Sequence, residues 1–323
     1  MNLLLLGGPR FLGRAIADAA VERGHELTFF NRGKTKPDLY PDVERLLGDR
    51  AEDLSALAGR EWDAVVDTSG YLPRDVRASA EALAGSGFYC FVSSVSVYAD
   101  FSHPIDEESP VAQLGDLPDD EITEETYGPL KALCEDAVRA VFDERAAIVR
   151  PGLIVGPYDP TGRFTYWPHR VARGGEVLAP TPPDAPTQIV DVRDLGDWIV
   201  SLCERRVGGV FNAAHPGVPI AELLETCRVV ADTDATITWV DAGFLVQHEV
   251  GQWMELPLWI DNADPEAAYF DRVDVGRAIA AGLAFRPLAE TVRGTLEDAE
   301  ATDAAGLKPE REAELLEAWH GRR

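Results

Sequence analysis

Cysteine, lysine and long apolar runs are all scarce in this sequence of 323 residues. The four cysteines are far apart without a CxxC pair, and the six histidines form no HxxxH or HExxH pattern. Neither a disulfide framework nor a zinc site is indicated, and we predict no bound metal. The apolar run Leu3–Leu6 is too short to cross a bilayer and lacks the flanks of a signal peptide. We therefore expect a cytoplasmic protein that binds no membrane.

Negative charge is in large excess. The chain has 56 acidic and 30 basic residues, a net charge of -26, and only four of the basic residues are lysines. Such a surface repels nucleic-acid phosphates and anionic membranes, which argues against a nucleic-acid partner. A salt-rich cytoplasm and a GC-rich genome both give this composition. It bears on solubility rather than on chemistry.

Short apolar runs alternate with amphipathic stretches through the first half of the chain. Near-continuous apolar strands between helices are typical of a parallel sheet that helices cover on both faces. The sequence therefore predicts an α/β fold, a Rossmann-type doubly wound parallel sheet, over residues 1–150. The predicted strands are Asn2–Leu6, Glu26–Phe30, Arg45–Leu47, Trp62–Asp67, Phe88–Ser93 and Ala146–Arg150, and the predicted helices include Phe11–Arg23, Arg74–Ala84 and Leu130–Phe142.

The second half is less regular. Proline and glycine cluster at Pro151–Gly162 and Pro180–Pro186, between short predicted strands and helices. We predict a smaller substrate-binding lobe over residues 151–323, some of whose segments return to the main sheet. The charged stretch after Thr302 is predicted to form a peripheral helix.

The segment GGPRFLG, Gly7–Gly13, follows a predicted strand and begins a predicted helix. In a dinucleotide-binding turn, glycines permit the tight turn and the close approach of the pyrophosphate to the helix N-terminus. Arg10 stands here in place of the middle glycine, which puts a guanidinium within reach of cofactor phosphates. The predicted cofactor residues of this segment are Gly7, Gly8, Arg10, Phe11, Leu12 and Gly13.

Positive charge follows the second predicted strand, in FFNRGK. A carboxylate at the end of this strand would bind the ribose 2′-hydroxyl of NAD, but Asn31 stands there, beside Arg32 and Lys34. Cations without a carboxylate favour the 2′-phosphate of NADP. We therefore predict that these three residues bind NADP(H), with NAD(H) as the alternative cofactor.

A tyrosine and a lysine are spaced for one helix face in YGPLK, Tyr127–Lys131. A lysine ammonium beside a phenol lowers the pKa of the phenol, which makes it a usable acid/base. In FVSSVSVY, Phe91–Tyr98, serines follow a predicted strand and can hydrogen-bond the same substrate oxygen. The two segments together predict acid/base chemistry on a carbinol or carbonyl.

These four segments, in this order, resemble the short-chain dehydrogenase/reductase superfamily. The match is to its extended branch, the NAD(P)-dependent epimerase/dehydratase family. The resemblance continues through VVDTSG, RPGLIVGP, IVDVRDLGDW and GGVFNAA and covers nearly the whole chain. It implies an enzyme that moves hydride between a nicotinamide and a carbinol or carbonyl carbon. Members often dimerise through a four-helix interface, so a homodimer is also expected.

The resemblance implies roles for individual residues. Tyr127 is the catalytic acid/base, Lys131 is its partner and binds the ribose, and Ser94 polarises the substrate oxygen. The further cofactor residues that it implies are Asp49, Thr68, Ser69, Gly70, Ser93, Lys131, Pro151 and Gly152. The substrate residues that it implies are Tyr98, Leu153, Arg163, Trp167 and Arg193. For Trp167 the alternative is that it belongs to an aromatic helix packed in the smaller lobe.

Three departures from the family pattern bear on the substrate. Nucleotide-sugar members usually have an asparagine where this chain has Leu153 and an arginine where it has Thr187. Dehydratases commonly have an Asp-Glu pair where this chain has Val95-Ser96, which argues against dehydration. A sugar or nucleotide sugar stays among the open substrate classes.

Two other functions are compatible with the same fold. GGPRFLG followed by FNRGK resembles the chloroplast stem-loop-binding branch of the family, whose members bind and cleave RNA. The net charge of -26 and the lack of a basic stripe argue against RNA binding here. A non-catalytic NADP sensor is the third alternative, and the intact Tyr127/Lys131 pair argues against it.

Overall fold

The structure, a computed structural model, describes residues 1–261, 264–298 and 304–322. Its strands are β1 (Asn2–Leu6), β2 (Glu26–Asn31), β3 (Glu44–Leu47), β4 (Ala64–Asp67), β5 (Tyr89–Val92), β6 (Ala146–Pro151), β7 (Leu153–Val155), β8 (Glu176–Pro180), β9 (Pro186–Thr187), β10 (Ile189–Asp191), β11 (Gly209–Ala213), β12 (Val218–Pro219) and β13 (Thr236–Val240). Its α-helices are α1 (Leu12–Glu22), α2 (Pro73–Ala82), α3 (Glu124–Phe142), α4 (Tyr166–Ala172), α5 (Val192–Arg205), α6 (Ile220–Val230), α7 (Ala242–Gln247), α8 (Gly276–Ala280), α9 (Leu288–Asp298) and α10 (Pro309–His320). None of the helices described is both long and apolar enough to span a membrane.

The chain forms two compact units. Unit 1 contains Met1–Gly152, Val192–Ala214 and Val273–Ala284. Unit 2 contains Leu153–Asp191, His215–Arg272 and Phe285–Arg323. The second half of the chain thus contributes α5, β11 and α8 to unit 1.

Unit 1 is built on a sheet of seven parallel strands in the order β11-β6-β5-β4-β1-β2-β3. The central strand β1 has no exposed surface at Leu3, Leu4 and Leu5, as a parallel strand covered on both faces requires. The strand order reverses between β1 and β4, and doubly wound folds bind ligands outside the carboxyl ends of the strands at such a point. The predicted doubly wound parallel sheet is confirmed.

Helix α3 is longer than predicted. The sequence predicted a start at Leu130, but the helix begins at Glu124, where Thr123 and Thr126 cap each other's backbone N–H groups. A capping box usually has Glu or Gln at its fourth position, and a proline, Pro129, lies inside the helix, so both features concealed the true start. The correction matters because the whole YGPLK segment now lies on one helix.

Unit 2 contains pairs of short strands instead of a long sheet among the residues that the structure describes. β7 pairs with β10, β9 with β12, and β8 with β13. Phe164, Trp167 and Phe244 have no exposed surface and form the centre of its core. The helix predicted after Thr302 is α10, although Thr302 itself lies outside the described residues. Because Leu315 of α10 is buried in this core, the helix is not merely peripheral.

Candidate active site

The glycine loop joins β1 to α1 at the reversal point of the sheet. Gly7 has a φ of +134°, which side-chain-bearing residues rarely adopt, and a Cβ there would collide with the Thr68 hydroxyl oxygen. A Cβ on Gly13 would collide with the Gly8 carbonyl oxygen. No atom lies within 4 Å of the place that a Cβ on Gly8 would occupy. The loop therefore combines two glycines that its packing requires with an open stretch of backbone that a phosphate can approach.

Arg10, in the middle of this loop, is exposed to solvent. Its backbone N–H donates to the Gly8 carbonyl at 2.8 Å and tightens the turn. Phe11 follows with a φ of 47°, and α1 then begins at the buried Leu12 without a side-chain cap or an acidic residue in its first turn. An uncapped helix N-terminus beside an exposed guanidinium favours a bound anion.

The carboxyl end of β2 carries the cations that were predicted to select NADP. Arg32 and Lys34 are exposed, and the Arg32 guanidinium lies 3.9 Å from the Asp49 carboxylate. Asn31 has a structural role as well, because its side chain donates to the Gly7 carbonyl and accepts from the Gly33 N–H, both at 2.9 Å. The structure thus places the end of β2 against the glycine loop.

The carboxyl end of β4 is tied to the end of β1. The hydroxyls of Thr68 and Ser69 each donate to the Leu6 carbonyl at 3.2 Å. Since Gly7 follows Leu6 directly, these bonds hold the VVDTSG and GGPRFLG segments together. Two segments that were predicted separately to bind the cofactor are therefore neighbours in unit 1.

Lys131 extends from α3 into the interior of unit 1. Its ammonium donates to the carbonyls of Gly70 and Val92, both at 2.7 Å, and lies 4.2 Å from the centre of the Phe91 ring. Burial lowers the pKa of Lys131 to about 8, although Cys134 and the Asp67 carboxylate act in the opposite direction. The lysine is therefore protonated at neutral pH and connects the carboxyl ends of β4 and β5.

Helix α3 packs closely on the 3-10 turn Val95–Val97, next to two of the predicted catalytic residues. A Cβ on Gly128 would collide with the Ser96 carbonyl oxygen, so only glycine lets the helix come this close. The Ser94 hydroxyl accepts from the Ser96 N–H at 3.1 Å and donates to the Ser96 hydroxyl at 3.0 Å. Tyr127, which is half-buried, precedes Gly128 on α3. The contact brings the Tyr127 turn beside the serine loop.

A buried ion pair beneath the end of β4 was not predicted. Arg50 donates to both carboxylate oxygens of Asp67 at 2.8 Å, and the Tyr89 hydroxyl donates to the same carboxylate at 3.0 Å. Burial opposes ionisation of Asp67, yet Arg50 holds the pKa of its carboxyl below the usual value. Asp67 also accepts from the Ser69 N–H at 3.0 Å, which fixes the loop that carries Gly70. The sequence feature that could have indicated this ion pair is Asp67, a single carboxylate at the end of the apolar run AVVD. A buried carboxylate needs a partner that balances its charge.

A second buried hydrogen-bond network includes the hydroxyls of Ser93 and Tyr98, which were predicted to bind the cofactor and the substrate. Arg150 forms a two-point ion pair with Glu135, through Nε at 2.9 Å and a terminal nitrogen at 2.6 Å. The Ser93 hydroxyl donates to Glu135 at 2.6 Å, and the Tyr98 hydroxyl accepts from Arg150 at 3.0 Å and donates to Asn212 at 2.7 Å. These positions do not support the cofactor role predicted for Ser93 or the substrate role predicted for Tyr98. Both side chains instead hold β5 and β6 against α3.

Tyr71 is a further candidate that sequence reasoning missed. It follows Gly70 directly, is 45% exposed, and has its ring centre 5.5 Å from the Lys131 ammonium. Burial and the Asp67 carboxylate raise the pKa of its phenol, while the Arg10 guanidinium acts to lower it. Two tyrosines are therefore candidates for the acid/base: Tyr71, whose ring lies near the Lys131 ammonium, and Tyr127, one helical turn before Lys131 on α3.

The other predicted residues fall in both units. Pro151 ends β6, and the Gly152 N–H donates to the Ala213 carbonyl at 3.1 Å, at the carboxyl edge of the unit 1 sheet. Arg193 is half-buried at the start of α5, also in unit 1. Arg163 belongs to unit 2, where its guanidinium lies 5.4 Å from the centre of the Trp253 ring.

Two predicted substrate residues lie in the core of unit 2. Trp167 has no exposed surface, and its indole N–H donates to the Pro257 carbonyl at 2.9 Å. Leu153 is 6% exposed and belongs to the same core. A side chain without accessible surface contacts no substrate in this conformation, so the structure does not support the role predicted for Trp167. An aromatic residue in a helical pattern is compatible with both roles, which is why the sequence did not separate them.

A sequence profile of the NAD dependent epimerase/dehydratase family matches residues 3–214. The chain belongs to this family. The match confirms the predicted extended short-chain dehydrogenase/reductase fold and the prediction of an enzyme. It extends beyond the glycine loop through the Tyr127–Lys131 segment and β11.

Two relatives match parts of this chain, and their names describe different functions. The chain is 26% identical over 231 residues to the chloroplast stem-loop binding protein of 41 kDa b from Arabidopsis thaliana, covering 65% of this chain and 58% of the relative. It is 32% identical over 181 residues to a 2-alkyl-3-oxoalkanoate reductase from Stenotrophomonas maltophilia, covering 49% and 52%. The matched part thus spans little more than half the length of either relative.

Solved structures of several other proteins share the fold. The enzyme WbmH of Bordetella bronchiseptica, in complex with NAD+, superposes with a TM-score of 0.68 at 17% identity, covering 94% of this chain and all of that one. The human epimerase family protein SDR39U1, with NADPH, gives 0.62 at 20% identity, covering 92% and 100%. UDP-glucose 4-epimerase of Thermotoga maritima, with UDP-glucose, gives 0.64 at 17% identity, covering 92% and 98%.

Proposed function

We propose that this protein transfers hydride between a nicotinamide cofactor, NADP(H) in preference to NAD(H), and a carbinol or carbonyl carbon of a small substrate. The observation that carries the proposal is the position of Lys131. Its ammonium is bonded to the carbonyls of Gly70 and Val92, and the same helix carries Tyr127 one turn earlier. A charged lysine beside a tyrosine at the carboxyl ends of parallel strands is the arrangement that acid/base chemistry of this kind requires.

The residues at the reversal point fit a dinucleotide. Gly7 and Gly13 leave no room for a side chain, while the backbone at Gly8 is open and α1 has an uncapped N-terminus. Gly7, Gly8 and Gly13 would hold the pyrophosphate, with Thr68 and Ser69 lining the same edge of the sheet. The bound nicotinamide supplies or takes up the hydride.

Tyr127 is the acid/base in this proposal. When a carbonyl is reduced, the phenol gives its proton to the oxygen of the substrate, and in the reverse direction the phenolate takes that proton back. The Lys131 ammonium favours the phenolate by its charge, which is why the lysine must be protonated at working pH. Ser94, which immediately precedes the turn that contacts α3, would turn its hydroxyl proton from the Ser96 hydroxyl to the same substrate oxygen.

The substrate class is best argued from two positions in unit 2. Leu153 and Thr187, which stand where nucleotide-sugar members usually carry an asparagine and an arginine, are both buried. The Thr187 hydroxyl is engaged with the Val218 carbonyl at 2.9 Å. Neither residue offers a cation or an amide to a nucleotide diphosphate, which favours a small carbonyl compound over a nucleotide sugar. A turnover assay of 3-oxoalkanoates against UDP-glucose and UDP-galactose separates the classes, and turnover of the UDP-sugars alone would contradict this choice.

Cofactor preference tests the proposal without a known substrate. Isothermal titration calorimetry with NADPH and NADH should show tighter binding of NADPH by about tenfold or more, because each ionic hydrogen bond to the 2′-phosphate contributes about 1.5–3 kcal/mol. The double variant Arg32→Gln/Lys34→Gln should lose that preference and keep its affinity for NADH.

The matched control for this titration is Arg60→Gln. Arg60 is also an exposed arginine of unit 1, and its guanidinium lies 2.8 Å from the Glu44 carboxylate. Its substitution should leave the affinities for NADPH and NADH unchanged. Equal affinity for NADPH and NADH in the unaltered protein would refute the assignment of Arg32 and Lys34. Absence of binding by either dinucleotide would refute the proposed function itself.

RNA binding is the second candidate, favoured by the similarity to the Arabidopsis stem-loop binding protein. The net charge of -26 opposes it, since RNA affinity depends on cationic contacts to phosphates. A gel-shift titration with a structured RNA at physiological salt decides the point. Retarded complexes at micromolar protein would support this candidate, and free RNA throughout would remove it.

A further inference from the structure

The loop 32–43 joins β2 to β3 in unit 1 and carries the two cations that were predicted to bind the 2′-phosphate of NADP, Arg32 and Lys34. Lys36 stands on it as well, and all three side chains are exposed. Two of the four lysines of the chain thus belong to this one loop. A loop without firm attachment would present its cations to a phosphate only part of the time. The contacts that hold the loop in place therefore bear directly on cofactor preference.

Tyr40 attaches the loop 32–43 to helix α1. Its hydroxyl donates to the Asp18 carboxylate at 2.5 Å and lies 3.1 Å from the Arg14 carbonyl oxygen. Both acceptors belong to the helix that begins at the glycine loop. Burial and the Asp18 carboxylate raise the pKa of the Tyr40 phenol, so it remains a hydrogen-bond donor at neutral pH. The hydroxyl therefore links the loop that carries the cations to the helix whose N-terminus would meet the pyrophosphate.

The ring and the backbone of Tyr40 also show that the residue is held by its surroundings. The ring packs on Phe29 of β2, a side chain without exposed surface, and the two ring centres are 5.7 Å apart. The backbone of Tyr40 has a φ of +60°, which residues with a side chain rarely adopt. Such a conformation persists where the surrounding contacts determine it. The side-chain contacts of Tyr40 therefore fix the course of the loop at this residue.

A second side chain, that of Arg45 on β3, holds the residue before Tyr40. Its guanidinium donates to the Leu39 carbonyl at 3.1 Å and lies 5.3 Å from the centre of the same Phe29 ring. The end of the loop nearest β3 is thus fixed at two successive residues. Because the Arg45 contact does not involve the Tyr40 hydroxyl, it would remain when that hydroxyl is removed.

We propose that Tyr40 is a positioning residue for cofactor specificity, which holds the loop 32–43 against α1 so that Arg32 and Lys34 reach the 2′-phosphate of NADP(H). The inference rests on the proposed function and on the role given there to these two cations. If loss of the hydroxyl left the loop in its binding position a tenth of the time, the apparent affinity for NADPH would fall about tenfold. NADH has no 2′-phosphate, so its affinity should change little.

Isothermal titration calorimetry of the full chain with NADPH and NADH tests the role of Tyr40, and the ratio of the two affinities is the readout. Tyr40→Phe keeps the ring on Phe29 and removes only the hydroxyl. It should weaken NADPH binding about fivefold to tenfold and change NADH binding less than about twofold. Tyr89→Phe is the matched control, because it also removes a hydroxyl that donates to a carboxylate of unit 1, that of Asp67. It should leave the ratio unchanged.

Asp18 provides a second pair of variants. Asp18→Asn keeps an oxygen that accepts from the Tyr40 hydroxyl and should retain the preference for NADPH. Asp18→Ala removes that acceptor and should lower the preference, as Tyr40→Phe does. Circular dichroism checks that all the variants are folded, and the ratio of affinities cancels any effect of Asp18 that is common to the two cofactors.

Amide hydrogen exchange without cofactor measures the attachment of the loop directly. Tyr40→Phe should speed exchange in the loop 32–43 and leave exchange in β1 unchanged, since local opening depends on local contacts. Unchanged exchange in the loop would overturn the proposal.

Three results of the titration would also overturn the role of Tyr40. They are an unchanged ratio in Tyr40→Phe, an equal loss of affinity for NADPH and NADH, and the same fall of the ratio in the Tyr89→Phe control. If the unaltered protein has no preference for NADPH, the roles of Arg32 and Lys34 fail together with that of Tyr40. If the unaltered protein prefers NADPH and Tyr40→Phe keeps that preference, only the role of Tyr40 fails.

Discussion

Both units contain buried ion pairs, but different groups complete the hydrogen bonds of these pairs. In unit 1 hydroxyl groups join them: Tyr89 donates to the Asp67 carboxylate, and Ser93 donates to Glu135, although Nε of Arg50 has no hydrogen-bond partner. In unit 2 backbone groups join the Arg170–Glu312 pair, and no hydrogen bond of normal geometry reaches the neighbouring buried Tyr166 hydroxyl. A buried hydroxyl that is hydrogen-bonded to an ion pair stabilises the fold, whereas a buried hydroxyl without a partner costs free energy.

The largest expected effect comes from removing the cation of the buried Arg50–Asp67 pair. Arg50→Met leaves the Asp67 carboxylate buried and without its cation, which should lower the free energy of unfolding by about 3–5 kcal/mol. Arg60→Met is the matched control, because the Arg60–Glu44 pair is exposed and worth at most about 1 kcal/mol. Urea denaturation of both variants measures the difference. Equal losses would mean that burial of the Arg50–Asp67 pair has no special energetic weight.

A smaller difference in unfolding free energy is expected when one buried tyrosine of each unit is replaced by phenylalanine. Tyr89→Phe removes a hydroxyl that donates to the buried Asp67 carboxylate, and should cost about 1–3 kcal/mol of unfolding free energy. Tyr166→Phe removes a buried hydroxyl that has no partner, so the free energy of unfolding should stay the same or rise by about 1 kcal/mol. Urea denaturation gives both values. A larger loss for Tyr166→Phe than for Tyr89→Phe would reverse the comparison.

Much of unit 1 could be predicted from the sequence because its topology places motifs at fixed positions. Parallel strands carry their carboxyl ends to one edge, so segments that follow β1, β4 and β5 meet there whatever lies between them. This is why GGPRFLG, VVDTSG and the serine loop could be assigned one by one. The start of α3 was missed because Thr126 stands at the fourth position of its capping box, where Glu or Gln is usual, and because Pro129 lies within the helix.

Side-chain contacts between residues far apart in the sequence could not be predicted in this way. Arg50 and Asp67 are separated by other elements, and nothing in the pattern around either residue says that they pair. Ser93 and Tyr98 were predicted to bind ligands because hydroxyls at a strand end serve both purposes, and only Glu135 and Arg150 show that they are occupied. In unit 2 the buried Arg170–Glu312 pair joins α4 to α10, more than a hundred residues later, so it has no local sequence signature.

The most direct test of the proposed chemistry is the substitution of the two candidate tyrosines, Tyr127 and Tyr71. With a substrate identified by the turnover assay, the rate of nicotinamide oxidation or reduction should be measured for Tyr127→Phe and Tyr71→Phe. If Tyr127 is the acid/base, Tyr127→Phe should lower kcat about 10²–10⁴-fold with cofactor affinity retained, while Tyr71→Phe should change it less than about tenfold. A kcat for Tyr127→Phe close to that of the unaltered protein would contradict the assigned mechanism, and a large loss in Tyr71→Phe alone would move the role to Tyr71.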